Sequence, residues 1–285
     1  MKKVINGCEM YYEVLGNPEN ETIFFVHGGP GLGDCRGDIN TFQDLSDSFQ
    51  LVFMDMRGSG RSADVPPYTH EQWVDDLNEL RNQLGVGKII LHGASYGGFI
   101  VQEFALRYPE HTKAILLNVT AADNDHHHLA IDNALRSNLP GIDEEGLTRL
   151  FEGYVKSNED FKALYQAILP LYTMEQDMEA QKQKLDQIFY HYQTHNDAFH
   201  QNLKHFDLKP KLHNIKVPAM VTAGERDWIC PPVCSENIVS RIPQAKYILF
   251  KEYGHSLVRE QGDKYKGLMR QFLNEEITEP KTLVY

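Results

Sequence analysis

The sequence predicts an α/β protein: a mostly parallel, doubly wound sheet interrupted by an inserted helical cap. Three observations carry this expectation. Continuous apolar runs of strand length recur along the chain, and each ends in a glycine-rich or polar turn. Helical patterns separate most of them, until the alternation lapses between about Ala121 and Phe206. Unbroken apolar runs mark strands covered on both faces by helices. Strands alternating with helices mark a parallel sheet.

Each element follows in order. Val4–Val14, with Gly7 near its middle, reads as an antiparallel hairpin on the sheet edge. Thr22–Val26 precedes His27-Gly28-Gly29-Pro30-Gly31, Leu51–Met54 precedes Asp55-Met56-Arg57-Gly58-Ser59-Gly60, and Lys88–Leu91 precedes Gly93-Ala94-Ser95-Tyr96-Gly97-Gly98. Lys113–Leu117, Val217–Thr222 and Lys246–Phe250 complete the strands. Glu71–Leu84 places Trp73, Leu77, Leu80 and Leu84 on one helical stripe and stops at Gly85, and Phe99–Tyr108 ends before Pro109. From Ala121 to Phe206 the patterns are helical only: Glu144–Tyr154, Phe161–Leu169 and Glu175–Tyr192. Because that stretch falls between two strands, residues 1–120 and 207–285 are expected to form the core domain and 121–206 a helical cap. His126-His127-His128 opens the cap and is expected to be an exposed polar loop, since adjacent side chains rarely converge on one metal ion.

The 285 residues, 41% hydrophobic and 24% charged, suffice for one large core or a domain with a sizeable insertion. A net charge of −12 repels phosphate backbones and anionic lipid, which argues against nucleic acid and membrane as partners. Met1-Lys2-Lys3-Val4-Ile5-Asn6-Gly7 lacks the apolar run of a signal peptide. No stretch reaches the roughly 18 apolar residues of a membrane span. Cys8, Cys35, Cys230 and Cys234 show neither a disulfide framework nor the CxxC pairs of a zinc site, so a reducing cytoplasm is the expected setting.

Gly93-Ala94-Ser95-Tyr96-Gly97 is a GxSxG pattern in a specific context, with a strand ending just before it and a helix beginning just after. Together they form the nucleophile elbow of the α/β-hydrolase fold, a strained turn that needs glycines where the chain passes close to itself. The helix N-terminus directs free N–H groups at the reacting centre. A serine hydroxyl needs a base to activate it, and in this fold the acid and then the base follow in the chain. Asp227, in Gly224-Glu225-Arg226-Asp227 after the Val217–Thr222 run, is the expected acid; Asp123 and Glu225 are its rivals. His255, in Tyr253-Gly254-His255-Ser256 after the last strand, is the expected base. His27-Gly28-Gly29-Pro30-Gly31 follows the strand where half of the oxyanion hole belongs, so the backbone N–H groups of Gly29 and Tyr96 are the expected donors. His27 is expected to hydrogen-bond within its loop, Asp55 and Arg57 to brace the second loop, and Cys230 and Pro231 to shape the pocket wall.

Those five segments (HGGPG, Asp55–Ser62, Gly93–Gly98, Asp227–Pro231 and Gly254–Ser256) together resemble the proline iminopeptidase (prolyl aminopeptidase) family. The resemblance spans the core on both sides of the cap, and HGGPG is its most family-specific motif. It implies an aminopeptidase that releases N-terminal proline or another small residue from short peptides through an acyl-enzyme on Ser95, with no metal or other cofactor. It further implies acidic residues near the cap that pair with the substrate α-ammonium. Some members carry glutamate directly after the catalytic aspartate, where this chain has Trp228; Glu144, Glu145 and Glu152, with Glu159, Glu175 and Glu179, are the other positions on offer. Phe151, Tyr154 and Tyr165 are candidates to line a pocket for a proline ring. A carboxylesterase or small-amide hydrolase using the same triad is the alternative, and a non-catalytic small-molecule receptor a remote one. Epoxide hydrolases and haloalkane dehalogenases place aspartate where this chain has Ser95.

Overall fold

A computed structural model describes residues 1–172, 183, 185–277 and 282–285. Nine strands form one sheet in the order β1-β2-β4-β3-β5-β6-β7-β8-β9. These are β1 (Lys2–Ile5), β2 (Cys8–Leu15), β3 (Thr22–Val26), β4 (Gln50–Met54), β5 (Ile89–Ala94), β6 (Thr112–Asn118), β7 (Ala219–Gly224), β8 (Ala245–Phe250) and β9 (Thr282–Val284). The β1–β2 hairpin and its pairing with β4 are antiparallel, and every other pairing is parallel. The six apolar runs of the sequence are β3 to β8, with ends shifted by at most three residues. The edge strand β9 is an addition that its brief, mixed sequence does not announce.

Alternate residues of a strand face opposite ways, and the core divides accordingly. Phe24 and Val26 of β3 join Trp73, Leu77, Phe104 and Ile238 on one face, while Ile23 and Phe25 join Phe42, Tyr265, Met269 and Phe272 on the other. The first face is covered by α2 (His70–Gln83), α3 (Tyr96–Arg107) and α8 (Pro232–Val239), the second by α1 (Arg36–Phe42), α9 (Leu257–Glu260) and α10 (Gly262–Leu273). Helix α2 starts where the Thr69 hydroxyl accepts from Gln72 N at 3.2 Å, and ends before Gly85 at φ +70°.

The chain runs from β3 outward to β4, then crosses back to β5 on the other side of β3. That reversal opens a crevice at the carboxyl ends of β3 and β5, the usual ligand position of open α/β sheets. The HGGPG loop leaves β3 and the serine turn leaves β5, so both border it.

Between β6 and β7 the described residues carry α4 (His126–Arg136), α5 (Glu144–Phe151), α6 (Asn158–Ile168) and α7 (Tyr192–Asn196). Half of the expected Glu175–Tyr192 helix, including Glu175 and Glu179, lies outside the described residues, and within the other half residues 187–191 are not helical. The two ends of this insertion are tied together: Asn124 N donates to Phe206 O at 3.1 Å and Leu208 N to Ala122 O at 2.7 Å. Among the described residues no helix is long and apolar enough to cross a membrane.

Candidate active site

Ser95 sits between β5 and α3 at φ 52°, ψ −123°, a region that L-residues avoid. Neighbouring bonds hold it there. Ser95 N donates to Asn118 O at 2.9 Å, and its carbonyl accepts from the Thr120 hydroxyl at 2.7 Å and from Gly98 N at 2.9 Å. The glycines are sterically required. A Cβ on Gly93 would lie 2.6 Å from Gly97 O, and one on Gly97 would overlap Val26 O. Strain at this turn is therefore imposed by the surrounding sheet and helix, and it presents the side chain to the crevice.

Asp227 and His255 arrive on the loops after β7 and β8. Asp227 Oδ1 accepts from the amides of Ile229 (2.9 Å) and Cys230 (3.0 Å), and His255 Nδ1 lies 2.9 Å from Oδ1 and 2.8 Å from Oδ2. The carboxylate side chain is fully buried and that of the imidazole is 7% exposed. An acceptor on Nδ1 fixes the tautomer with Nδ1–H, leaving Nε2 as a base. The rivals are elsewhere: Glu225 is exposed, and Asp123 caps Asp125 N at 2.8 Å and pairs with Lys209 at 3.3 Å.

The HGGPG loop packs directly on the elbow, since a Cβ on Gly28 would lie 3.0 Å from Ser95 Cβ. Gly29 takes φ +62°, and its carbonyl accepts from Leu32 N and Gly33 N at 2.9 and 2.6 Å, which turns the loop back on itself. His27 Nε2 accepts from Met56 N at 3.0 Å, so Nδ1 carries the proton and donates to Gly28 O at 2.9 Å. It thus bonds within its loop and also joins that loop to the next. Asp55 accepts from Cys35 N and from both the backbone and guanidinium of Arg61. Arg57 forms a buried 2.7 Å pair with Asp76, and Ser59 Oγ accepts from Gly31 N at 2.9 Å.

A cavity of about 560 Å³ joins these groups. Its wall includes Gly28, Gly29, Ser95, Tyr96, Cys230 and His255 from the sheet side, with Phe151, Phe161, Tyr165, Tyr172 and Phe199 from the inserted helices and the turns beside them. Burial pushes the Cys230 thiol well above its ordinary range, so it stays protonated.

Several expectations do not hold. His126 and His127 are buried at the start of α4 and line the cavity, and only His128 is exposed. An exposed loop is ruled out because α4 docks by its first turn. His126 donates from Nδ1 to Asp123 O at 2.6 Å and His127 stacks on Phe199. Burial lowers His126 to about 4 and holds His127 well below its usual range, so both imidazoles are neutral. Glu144, Glu145 and Glu152 are exposed and do not line the cavity, because α5 buries the opposite stripe, Leu147, Leu150 and Phe151. Trp228 is buried behind the wall, edge-to-face with Phe151 and Tyr172, rather than on it. Tyr154 points to solvent, at 50% exposure. Among the described residues no cluster of potential ligands could hold a metal ion.

A strained serine on the turn from a central parallel strand into its helix marks the α/β hydrolases, and the chain belongs to that family: the model described as alpha/beta hydrolase fold matches residues 21–260. Relatives within the family include proline iminopeptidases. One, PfmaB of Pestalotiopsis fici, is 32% identical over 275 residues, covering 95% of this chain and 98% of that one. A proline iminopeptidase of Lactobacillus helveticus is 27% identical over 283 residues, covering 94% and 95%. Among solved structures, an enol-lactonase from Burkholderia xenovorans superposes with a TM-score of 0.78 at 21% identity, covering 96% of this chain and all (100%) of that one. A thermophilic esterase from Thermogutta terrifontis does so at 0.72 and 24%, covering 96% and 98%. These two likenesses concern the fold.

Proposed function

We propose that this chain is a serine hydrolase whose nucleophile is Ser95, and that it releases N-terminal proline or another small residue from short peptides. The observation that carries the reading is the buried Asp227–His255 pair at 2.8 Å, opening onto the same cavity as the strained Ser95. The similarity to proline iminopeptidases along nearly the whole chain supports the substrate class.

His255 Nε2 takes the Ser95 proton as Oγ attacks the scissile carbonyl, and Asp227 stabilises the resulting imidazolium. The amides of Gly29 and Tyr96 receive the oxyanion. Tyr96 N stands in the first turn of α3, where amides have no intrahelical acceptor. His255 then protonates the leaving amine, and water repeats the sequence on the acyl-enzyme. Residues 121–206 act as a cap that selects the acyl group. The four cysteines are unpaired, as suits a reducing cytoplasm.

A second reading, a carboxylesterase or small-amide hydrolase, draws support from the neutral, aromatic cap side of the cavity. Turnover of prolyl, alanyl and N-blocked prolyl arylamides, beside a p-nitrophenyl ester, separates the two. The aminopeptidase reading expects the free prolyl compound to be cleaved and the blocked one spared; equal rates on both overturn it in favour of the second.

A further inference from the structure

An aminopeptidase must hold an ammonium group, and the expected cap glutamates Glu144, Glu145, Glu152 and Glu159 are exposed, while Glu175 and Glu179 lie outside the described residues. The cavity wall itself carries two carboxylates among the described residues, Asp34 and Asp38. Asp34 is saturated: Arg36 meets it with a guanidinium bond of 2.6 Å, a second from Nε at 2.9 Å, and its own backbone N–H at 2.9 Å. Among the described residues Asp38, on α1, has no cationic partner, and its Oδ2 is buried without a hydrogen bond. A carboxylate oxygen buried with nothing donating to it is expensive unless a ligand supplies the donor.

A second orphan lies on the same wall. His92, in β5 three residues before Ser95, is fully buried and its Nδ1 has no partner. Its Nε2 is 3.1 Å from the Tyr265 hydroxyl. Burial lowers this imidazole to about 3, so it is neutral and offers one lone pair. When Nε2–H donates to Tyr265, that lone pair is on Nδ1. Two acceptors without donors then line one cavity that also holds the nucleophile.

We propose that Asp38 is the group of this cavity that recognises the ammonium of the substrate, with His92 Nδ1 as a second acceptor. The assignment rests on the peptide reading for the source of the ammonium. It also accounts for Asp38 itself. Burial and the neighbouring Asp34 raise its carboxyl to about 7, so an arriving cation ionises it and forms a charge-assisted pair where water is scarce. Asp38 acts on binding and takes no part in bond breaking.

The test compares butylammonium with 1-butanol as competitive inhibitors of p-nitrophenyl acetate hydrolysis by the full chain. The ratio of the two inhibition constants is internal to each variant, so a change in turnover does not enter it. In the native protein butylammonium is expected to bind about tenfold or more tightly than the alcohol, and in Asp38→Asn the ratio should fall to near one. A native ratio near one, or a ratio unchanged by Asp38→Asn, overturns the assignment. Failure to cleave any free prolyl arylamide, with the ratio still Asp38-dependent, defeats the peptide reading and leaves Asp38 as the cation site.

Discussion

Replacing Asp227 with asparagine is the sharpest probe of the proposed chemistry, because the structure dictates what the new side chain must do. Oδ1 accepts from Ile229 N and Cys230 N at 2.9 and 3.0 Å, and only an oxygen can keep those two bonds. The amide of Asp227→Asn is therefore locked with its NH₂ where Oδ2 stood, 2.8 Å from His255 Nδ1. Two N–H donors at that distance repel, and although Oδ1 is also 2.9 Å from Nδ1 it already accepts two backbone N–H groups, so the balance shifts toward the tautomer with its proton on Nε2. The base then presents N–H to Ser95 instead of a lone pair, and the imidazolium loses its counter-charge. The same substitution in a well-studied serine protease lowers kcat by about 10⁴, or roughly 5.5 kcal/mol at 1.36 kcal/mol per tenfold. We expect a loss of that order in kcat/KM on both ester and arylamide, with little change in melting temperature, since the two backbone bonds survive. A variant retaining more than a tenth of native activity would refute the assignment of Asp227 as the orienting acid.

Two further expectations concern the scaffold. Gly97→Ala drives a methyl group into Val26 O, a backbone atom in the central strand that cannot step aside. The cost should reach or exceed the top of the roughly 1–3 kcal/mol range for overpacking, seen as a lower urea midpoint; an unchanged midpoint would mean that the elbow has room to relax. The second concerns pH. Burial lowers His92 to about 3 and both His126 and His195 to about 4, and His127 moves the same way, all without charge in the fold. Between about pH 6.5 and 4 the unfolded chain binds protons that the folded one refuses, so stability present above pH 6.5 is lost on acidification. Asp38, raised to about 7, works in the opposite sense over much of that range. Each group contributes up to about 1.4 kcal/mol per pH unit, so the four imidazoles prevail and unfolding free energy should fall by about 2–4 kcal/mol per unit. Denaturant titrations between pH 7 and 5 giving a flat profile would contradict the neutral burial of these residues.

What the sequence makes legible follows from how local the constraint is. A serine elbow needs its glycines within two residues, and HGGPG, Asp227 and His255 each follow the end of a strand whose apolar run is plain to read. The inserted segment is different. Its helices can be recognised by spacing, but which stripe meets the sheet depends on docking against elements far away in the chain. Hence His126 and His127, polar and adjacent, read as a loop yet pack against Phe99 and Phe199. Glu144 and Glu145 look suited to a substrate amine yet lie in the first turn of a helix that buries its other side. Asp38 is inconspicuous in the sequence for the same reason. Nothing in Arg36–Phe42 distinguishes it, and only the fold reveals that its oxygen lacks a donor.

The bonds that tie Asn124 to Phe206 and Ala122 to Leu208 have an evolutionary meaning. An insertion whose two ends are fastened side by side at the sheet closes its own loop. Exchanging what lies between them therefore alters the ring-closure entropy only slowly with length and leaves the strand registers alone. If the inserted segment selects the substrate as proposed, such a graft point would let descendants combine bond cleavage from one ancestor with substrate choice from another. For the engineer it marks where chimaeras should be spliced: at residues 122–124 and 206–208.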